Sequence, residues 1–284
     1  MTHPILPHAF VMGHPIAHSR SPMLHGYWLE KLGITGTYEK IDIAPEALGE
    51  FFASFRETGW IGGNVTVPHK TAVIPYLSEI DADAKAIGAV NTIWRDGDRL
   101  LGGNTDAIGF IGNLDDRTPG WDIPGGHAVI LGAGGAARAA IHGLLGRGQR
   151  VTIVNRTRQH AETLAAHFGS GVSVADWADL GSQLPSTDLL VNTTSCGMLA
   201  KPPLDVDISG LKQQAVVYDV VYVPLETGLL KMAAANGHRT VDGLGMLMHQ
   251  ATAGFHRWFG VTPTVTSELR TILENDIREK TPGA

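Results

Sequence analysis

Short apolar runs bounded by glycine alternate along this chain with longer stretches whose apolar residues recur every three or four positions. Ala9–Met12 is a buried-strand run ending at Gly13, and Pro22–Leu32 has helical spacing that stops at Gly33, where left-handed backbone is expected. Tyr38–Ile43 alternates like a strand, and Pro45–Thr58 reads as a helix with Pro45 in its first turn. Asn64–Val67 is strand-like, and Ala89–Trp94 and Arg99–Leu101 flank Asp96-Gly97, a hairpin signal. After a turn-rich break at Trp121–Gly126 a second series begins. Ala128–Leu131, Val151–Val154, Leu189–Val191 and Val216–Val220 read as strands, and Ala136–Leu145 as a helix. Beyond Gly245 the pattern is helical only, Met246–Phe259 and then Ser267–Lys280 with Thr266 as N-cap. Two series of alternating strands and helices predict an α/β protein of two domains. The last helices have no strand of their own and must dock on a domain already built.

Composition narrows the class. The chain has 284 residues, 43% hydrophobic and 18% charged, enough apolar surface for a core and too much for disorder. Its 35 glycines are roughly 12% of the chain against a usual share of about 7%. They follow no three-residue period, which excludes collagen. Lys and Arg number 22 against 28 Asp and Glu, a net charge of −6, and no basic run would track phosphates, so a nucleic-acid partner is not expected. The single cysteine, Cys196, calls for no oxidising compartment. Met1–Pro7 lacks a basic-then-apolar leader, and the most apolar long stretch, Ala128–Leu145, is interrupted by Arg138 and His142. A cytoplasmic protein with no membrane span is therefore expected. Nothing in the sequence separates a monomer from a homodimer.

The strand Ala128–Leu131 runs directly into Gly132-Ala133-Gly134-Gly135-Ala136-Ala137, which fits G-x-G-x-x-A. Gly132 suits the tight turn, Gly134 lets backbone N–H groups approach a pyrophosphate, and the small Ala137 lets helix and strand pack closely. The next strand ends in Asn155-Arg156-Thr157-Arg158. An NAD site usually carries an acid there, about 20 residues beyond the first glycine. Guanidinium groups instead suit a 2′-phosphate, so NADP(H) is the expected cofactor.

A nicotinamide enzyme acting on a carbonyl also needs a proton donor and polar groups that orient the substrate. Three strings offer them. Ser19-Arg-Ser21-Pro22 sets two hydroxyls before a helix, where they could equally cap it. Asn64-Val-Thr66-Val-Pro68-His-Lys70 supplies an amide, a hydroxyl and an amine. Gly103-Asn104-Thr105-Asp106 supplies a carboxylate that could position the Lys70 ammonium or serve as an N-cap.

Taken together these strings resemble the shikimate dehydrogenase family. The matching motifs are Gly13-His-Pro-Ile-Ala-His-Ser19-Arg-Ser21-Pro22, Gly63-Asn64-Val-Thr66-Val-Pro68-His-Lys70, Gly88-Ala-Val-Asn91-Thr92 and Gly103-Asn104-Thr-Asp106. They continue through Gly132–Arg138, Asn155-Arg-Thr157, Asn192-Thr-Thr-Ser195, Asp219-Val-Val-Tyr222-Val-Pro224 and Asp242–Ala251. The resemblance implies NADPH-dependent reduction of 3-dehydroshikimate to shikimate, a step towards chorismate and the aromatic amino acids. It makes Lys70 and Asp106 the catalytic pair. Ser19, Ser21, Asn64, Thr66, Asn91, Tyr222 and Gln250 become substrate ligands. Gly132, Ala133, Gly134, Gly135, Ala136, Asn155, Arg156, Thr157, Arg158, Thr193, Gly243 and Met246 fall on the cofactor side. Either Arg158 or His160 is the second 2′-phosphate ligand. The implied architecture is a discontinuous substrate-binding domain, 1–106 plus 245–284, and a Rossmann-type NADP-binding domain, 107–244, with a cleft between them. Two alternatives stay open: a quinate/shikimate dehydrogenase using NAD or NADP, and a non-catalytic NADP-binding regulator. His14, His18 and His25 lack a supporting cysteine or carboxylate set, so no metal site is expected.

Overall fold

The run at Ala9–Met12 becomes β1 (His8–Gly13), buried from Ala9 onward. It leads through α1 (Ser21–Lys31) into β2 (Thr37–Asp42), which lies parallel to it. These and all later statements concern residues 6–281 of a computed structural model; part of the stretch read for a leader, residues 1–5, lies outside the described residues. The expected helix Pro45–Thr58 is divided: α2 covers only Leu48–Ser54, with 3₁₀ turns at Pro45–Ala47 and Phe55–Glu57. Its Phe51 and the following Phe55 pack edge-on around Phe10 of β1. Next come β3 (Trp60–Val65), β4 (Glu79–Ile80), α3 (Ala82–Ile87), β5 (Thr92–Asp96) and β6 (Arg99–Gly103). The hairpin between β5 and β6 turns at Gly97 with φ +61°. The six strands form one mixed sheet, in the order β2-β1-β3-β5-β6-β4.

The second series opens with α4 (Asp106–Arg117), then β7 (His127–Leu131), α5 (Gly135–Gly146), β8 (Arg150–Val154), α6 (Arg158–Phe168) and β9 (Val172–Ala175). It continues with α7 (Leu180–Gln183), β10 (Leu189–Asn192), β11 (Val216–Asp219), α8 (Gly228–Ala235) and β12 (Arg239–Val241). All six strands are parallel, ordered β12-β11-β10-β7-β8-β9. Alternation puts Ala128 and Ile130 of β7 in one apolar cluster and Val129 and Leu131 in another, as expected of a sheet covered on both faces. Strand order reverses between β7 and β10. In such doubly wound sheets, ligands bind at that reversal, beyond the carboxyl ends of the strands.

The chain closes with α9 (Leu244–Phe259) and α10 (Ser267–Lys280). Thr266 caps α10, its Oγ1 accepting from Leu269 N–H at 3.2 Å. Contacts divide the protein into two units. One holds the chain up to Thr105 with Gln250–Leu273; the other holds Asp106–His249 and resumes at Glu274. This differs from a division at 106/107 and 244/245 that gives the whole C-terminus to the first unit. Both late boundaries fall inside helices, and periodicity marks a helix without saying what each turn rests on. No helix among the described residues is long and apolar enough to cross a membrane.

Candidate active site

The reversal point of the second unit is built by close backbone approach. Gly132 follows β7 with φ +112°, and a Cβ there would lie 2.7 Å from Thr193 Oγ1. Thr193 follows β10 and donates both its N–H and its hydroxyl to Leu131 O, at 2.9 and 2.8 Å. Only glycine meets both the conformation and the space at 132. Gly134 is the N-cap of α5 and no side chain caps the helix, so its first N–H groups and its positive dipole end face outward, as an anion site requires. A Cβ at Gly134 or Gly135 would meet no protein atom within 4 Å. Packing does not demand glycine there, whereas a pyrophosphate lying against the backbone would. Ala133 and Ala136 are half-buried on either side, and Ala137 is fully buried where α5 meets the sheet. These residues fit a dinucleotide.

At the end of β8, Asn155 Nδ2 donates to Thr157 O at 2.8 Å and closes the turn that leads into α6. Arg156 is exposed, and among the described residues no carboxylate pairs with it. Arg158 is differently placed. Its Nε meets Glu162 at 2.7 Å and another guanidinium nitrogen meets Asp176 at 2.8 Å. His160 is also exposed. Gly243 sits against the loop after β11, where a Cβ would collide with Val220 O. Met246, one residue beyond Gly245 in the first turn of α9, packs on the core that contains Ile130.

The first unit presents a different chemistry: buried, neutral hydrogen-bonding groups. Asn64, on β3, donates to Asn91 O at 3.1 Å and Thr92 Oγ1 at 3.2 Å, and accepts from Tyr38 OH at 2.6 Å. Asn91 precedes β5, and its Nδ2 donates to Thr105 Oγ1 at 3.1 Å and Gln250 Oε1 at 3.3 Å. Its Oδ1 accepts from Thr105 N–H at 2.9 Å and from the Thr92 hydroxyl at 2.9 Å. Asn64, Asn91 and Gln250 are 5%, 3% and 8% exposed, so their amides are oriented by protein and not by bulk water. Thr66 and Lys70 follow β3 and are half-buried; Lys70 O accepts from Val90 N–H at 2.7 Å. Ser19 Oγ accepts from Ser21 N–H at 3.3 Å just before α1, but the N-cap position is Arg20 and no side chain caps the helix there. Asp106 and Tyr222 belong to the second unit: Asp106 opens α4 directly after Thr105, and Tyr222 is half-buried in the loop after β11.

Two supporting residues escaped the motif reading. Tyr38 holds the Asn64 amide, and His25 stacks on Tyr38 at 4.0 Å and on Phe255 at 5.9 Å. His25 is fully buried, and among the described residues neither ring nitrogen has a hydrogen-bond partner. Burial drives its pKa down to about 3; Asn64 lies near enough to oppose the shift without reaching hydrogen-bond geometry. The available signal was spacing: His25 is four residues after Ser21, on the helix face shared with Leu24 and Trp28. His14 is exposed and meets Asp42 at 2.7 Å, unlike the buried His25. Among the described residues, no group of three or more His, Cys, Asp or Glu could hold a metal ion.

A parallel sheet with its glycine turn at the reversal point, joined in one chain to a unit lined with buried amides, defines a two-unit α/β dinucleotide-binding protein. Residues 11–93 match the model of the shikimate dehydrogenase substrate binding domain, and residues 118–202 that of shikimate / quinate 5-dehydrogenase. The chain belongs to the shikimate dehydrogenase family. It is 53% identical over 271 residues to shikimate dehydrogenase (NADP(+)) of Azorhizobium caulinodans, covering 95% of this chain and 96% of that one. Shikimate 5-dehydrogenase of Thermus thermophilus, solved with NADP(H) and shikimate, superposes with a TM-score of 0.85 at 34% identity, covering 97% and 100%. Quinate dehydrogenase of Corynebacterium glutamicum, solved with NAD, gives 0.86 at 31% identity, covering 94% and 99%.

Proposed function

We propose that the protein is a cytoplasmic oxidoreductase that interconverts 3-dehydroshikimate and shikimate with NADP(H). The observation that carries this reading is the amide layer Asn64–Asn91–Gln250, fixed by Tyr38, Thr92 and Thr105. A small polyhydroxylated acid is recognised by short neutral donors and acceptors, because each misplaced hydroxyl leaves a buried partner unpaired. Ser19 and Ser21 hold the substrate carboxylate, and Asn64, Thr66, Asn91, Tyr222 and Gln250 hold its hydroxyls. Bound NADPH supplies a hydride to the carbonyl carbon. Lys70 and Asp106 act as an acid–base pair: the ammonium faces the oxygen that gains charge, the carboxylate orients it, and one proton completes the hydroxyl. Gly132–Ala136 and the start of α5 take the pyrophosphate. Asn155–Arg156–Thr157 takes the adenosine 2′-phosphate, with Arg156 as its main cation.

A narrower reading than quinate/shikimate dehydrogenase is supported by the Asn155-Arg156 sequence, which offers a cation where an NAD site carries an acid. Shikimate oxidation with NADP+, run beside quinate and NAD+ controls, tests it. A higher kcat/KM on quinate or with NAD+ would favour the broader enzyme. Binding of NADPH without turnover would favour the regulator.

A further inference from the structure

Asp219 is fully buried at the last position of β11, yet no catalytic or ligand-binding role requires it there. Its register partner on β10 is Asn192, also fully buried, so the two side chains face each other at the carboxyl edge of the sheet. Asn192 Nδ2 donates to Asp219 Oδ1 at 2.9 Å, and Val221 N–H donates to the same oxygen at 3.0 Å. The Thr227 hydroxyl donates to Oδ2 at 2.7 Å while capping α8 through Leu230 N–H. All three donors are neutral, and among the described residues no cation pairs with this carboxylate. A buried charge without a counter-ion is costly, and burial accordingly pushes the carboxyl pKa up to about 6. An apolar residue at this position would leave these three donors unpaired.

What the carboxylate does hold is loop geometry. Asn192, fixed by Asp219, accepts on its Oδ1 from Thr194 N–H at 3.0 Å and the Thr194 hydroxyl at 2.7 Å, and donates to Cys196 O at 3.2 Å. That sets the turn beginning at Thr193, the residue already tied to Leu131 beside Gly132. On the other side, Val221 N–H and Thr227 bracket the loop that carries Tyr222, and the carbonyl of Val220 lies against Gly243. One side chain thus joins both loops at the end of the sheet where the nucleotide turn lies.

We propose that Asp219 is a positioning residue for the dehydrogenase reaction, locking the loops after β10 and β11 so that Thr193 meets the cofactor and Tyr222 the substrate. This rests on the functional reading above, and the test separates the two. Wild type, Asp219→Asn, Thr227→Val and Thr227→Ser are compared in full-length form for shikimate–NADP+ kinetics, NADPH binding by fluorescence titration, and Tm. Expected is at least a tenfold loss of kcat/KM and a several-fold rise in the NADPH Kd for Asp219→Asn. Thr227→Val should lose in the same direction and Thr227→Ser should restore wild-type values. Kinetic and binding constants within twofold of wild type in Asp219→Asn, with only Tm altered, would overturn the proposal. Should Asp219→Asn fail to fold, Thr227→Val decides on the same criteria. Absence of turnover in the wild type would sink the functional reading alone, because the NADPH titration still reports on Asp219.

Discussion

The Asn91 amide donates to Gln250 Oε1 at 3.3 Å across 159 residues of sequence, so the start of β5 is pinned to a turn of α9. Thr105 joins the same pair: its hydroxyl lies 3.2 Å from Gln250 Oε1 and 3.3 Å from Asn91 Oδ1. With a single proton it can donate to only one of them at a time. A substrate hydroxyl entering this cluster would therefore choose between two arrangements of the same groups. Gln250→Ala removes an acceptor that Asn91 and Thr105 share. The KM for shikimate should rise about tenfold or more, while the KM for NADP+ moves less than about twofold. Equal changes in both constants would show that Gln250 supports the fold and not the substrate.

Lys70 offers a different signature. A proton donor used mainly in the transition state affects kcat, not ground-state binding. Lys70→Ala should lower kcat roughly 10²- to 10⁴-fold, with shikimate affinity by calorimetry little changed. A raised KM at unchanged kcat would reassign the lysine to binding.

The two arginines beyond β8 should separate cleanly. Among the described residues Arg156 has no carboxylate partner, whereas Arg158 is engaged by Glu162 and Asp176. Surface pairs of this kind are weak, but their two negative charges also offset the guanidinium near a phosphate. Arg156→Ala should weaken NADPH binding at least tenfold more than NADH binding, and Arg158→Ala should show a clearly smaller preference change. Fluorescence titrations with both nucleotides at one ionic strength decide it.

Two glycines test whether sequence reflects the ligand or the fold. A Cβ at Gly134 meets open space, whereas one at Gly243 collides with Val220 O. Gly134→Ala should keep Tm close to wild type yet lose NADPH affinity. Gly243→Ala should lower Tm, by the several degrees that about 1–3 kcal/mol of overpacking produces in a chain of this size. Loss of Tm in both would mean that the turn before α5 is a folding element.

Buried His25 and Asp219 give the acid limb of stability opposite slopes. The His25 pKa is depressed from 6.5 to about 3 in the folded state, so its contribution is present above 6.5 and is lost as pH falls towards 3. The Asp219 pKa is raised from 3.8 to about 6, so its contribution is present below 3.8 and is lost as pH rises through 6. Between those values a falling pH removes stability through His25 and adds it through Asp219. Each slope is at most about 1.4 kcal/mol per pH unit. His25→Phe should therefore raise Tm at pH 4 relative to pH 6 against the wild-type trend, and Asp219→Asn should steepen the acid loss. Parallel Tm–pH curves for all three proteins would refute both assignments.

Legibility in the sequence followed local signals. Strands with a dense apolar run, such as Ala128–Leu131 and Val151–Val154, and helices ended by glycine, such as the one before Gly33, are legible to within a residue or two. β9 and β12 are not: Val172–Ala175 contains no fully buried residue and Arg239–Val241 has one, so neither leaves a strong pattern. α6 leaves a weak pattern because only Ala161 and Leu164 of its residues are buried. At the proposed site, Asn64, Asn91 and Gln250 stand in motifs, while Tyr38, which holds Asn64, does not. Tyr38 reaches Asn64 across 26 residues and His25 stacks on Phe255 of α9, and no spacing rule reports those.

The two units do not end where helices end. The boundary between His249 and Gln250 cuts α9, and that between Leu273 and Glu274 cuts α10. A helix cut at such a point loses backbone hydrogen bonds, each of which spans four residues. Recombining this nucleotide unit with a foreign partner would therefore require splices within two helices, in register on both faces. Cofactor choice in such a scaffold is more readily altered residue by residue than by exchange of whole modules.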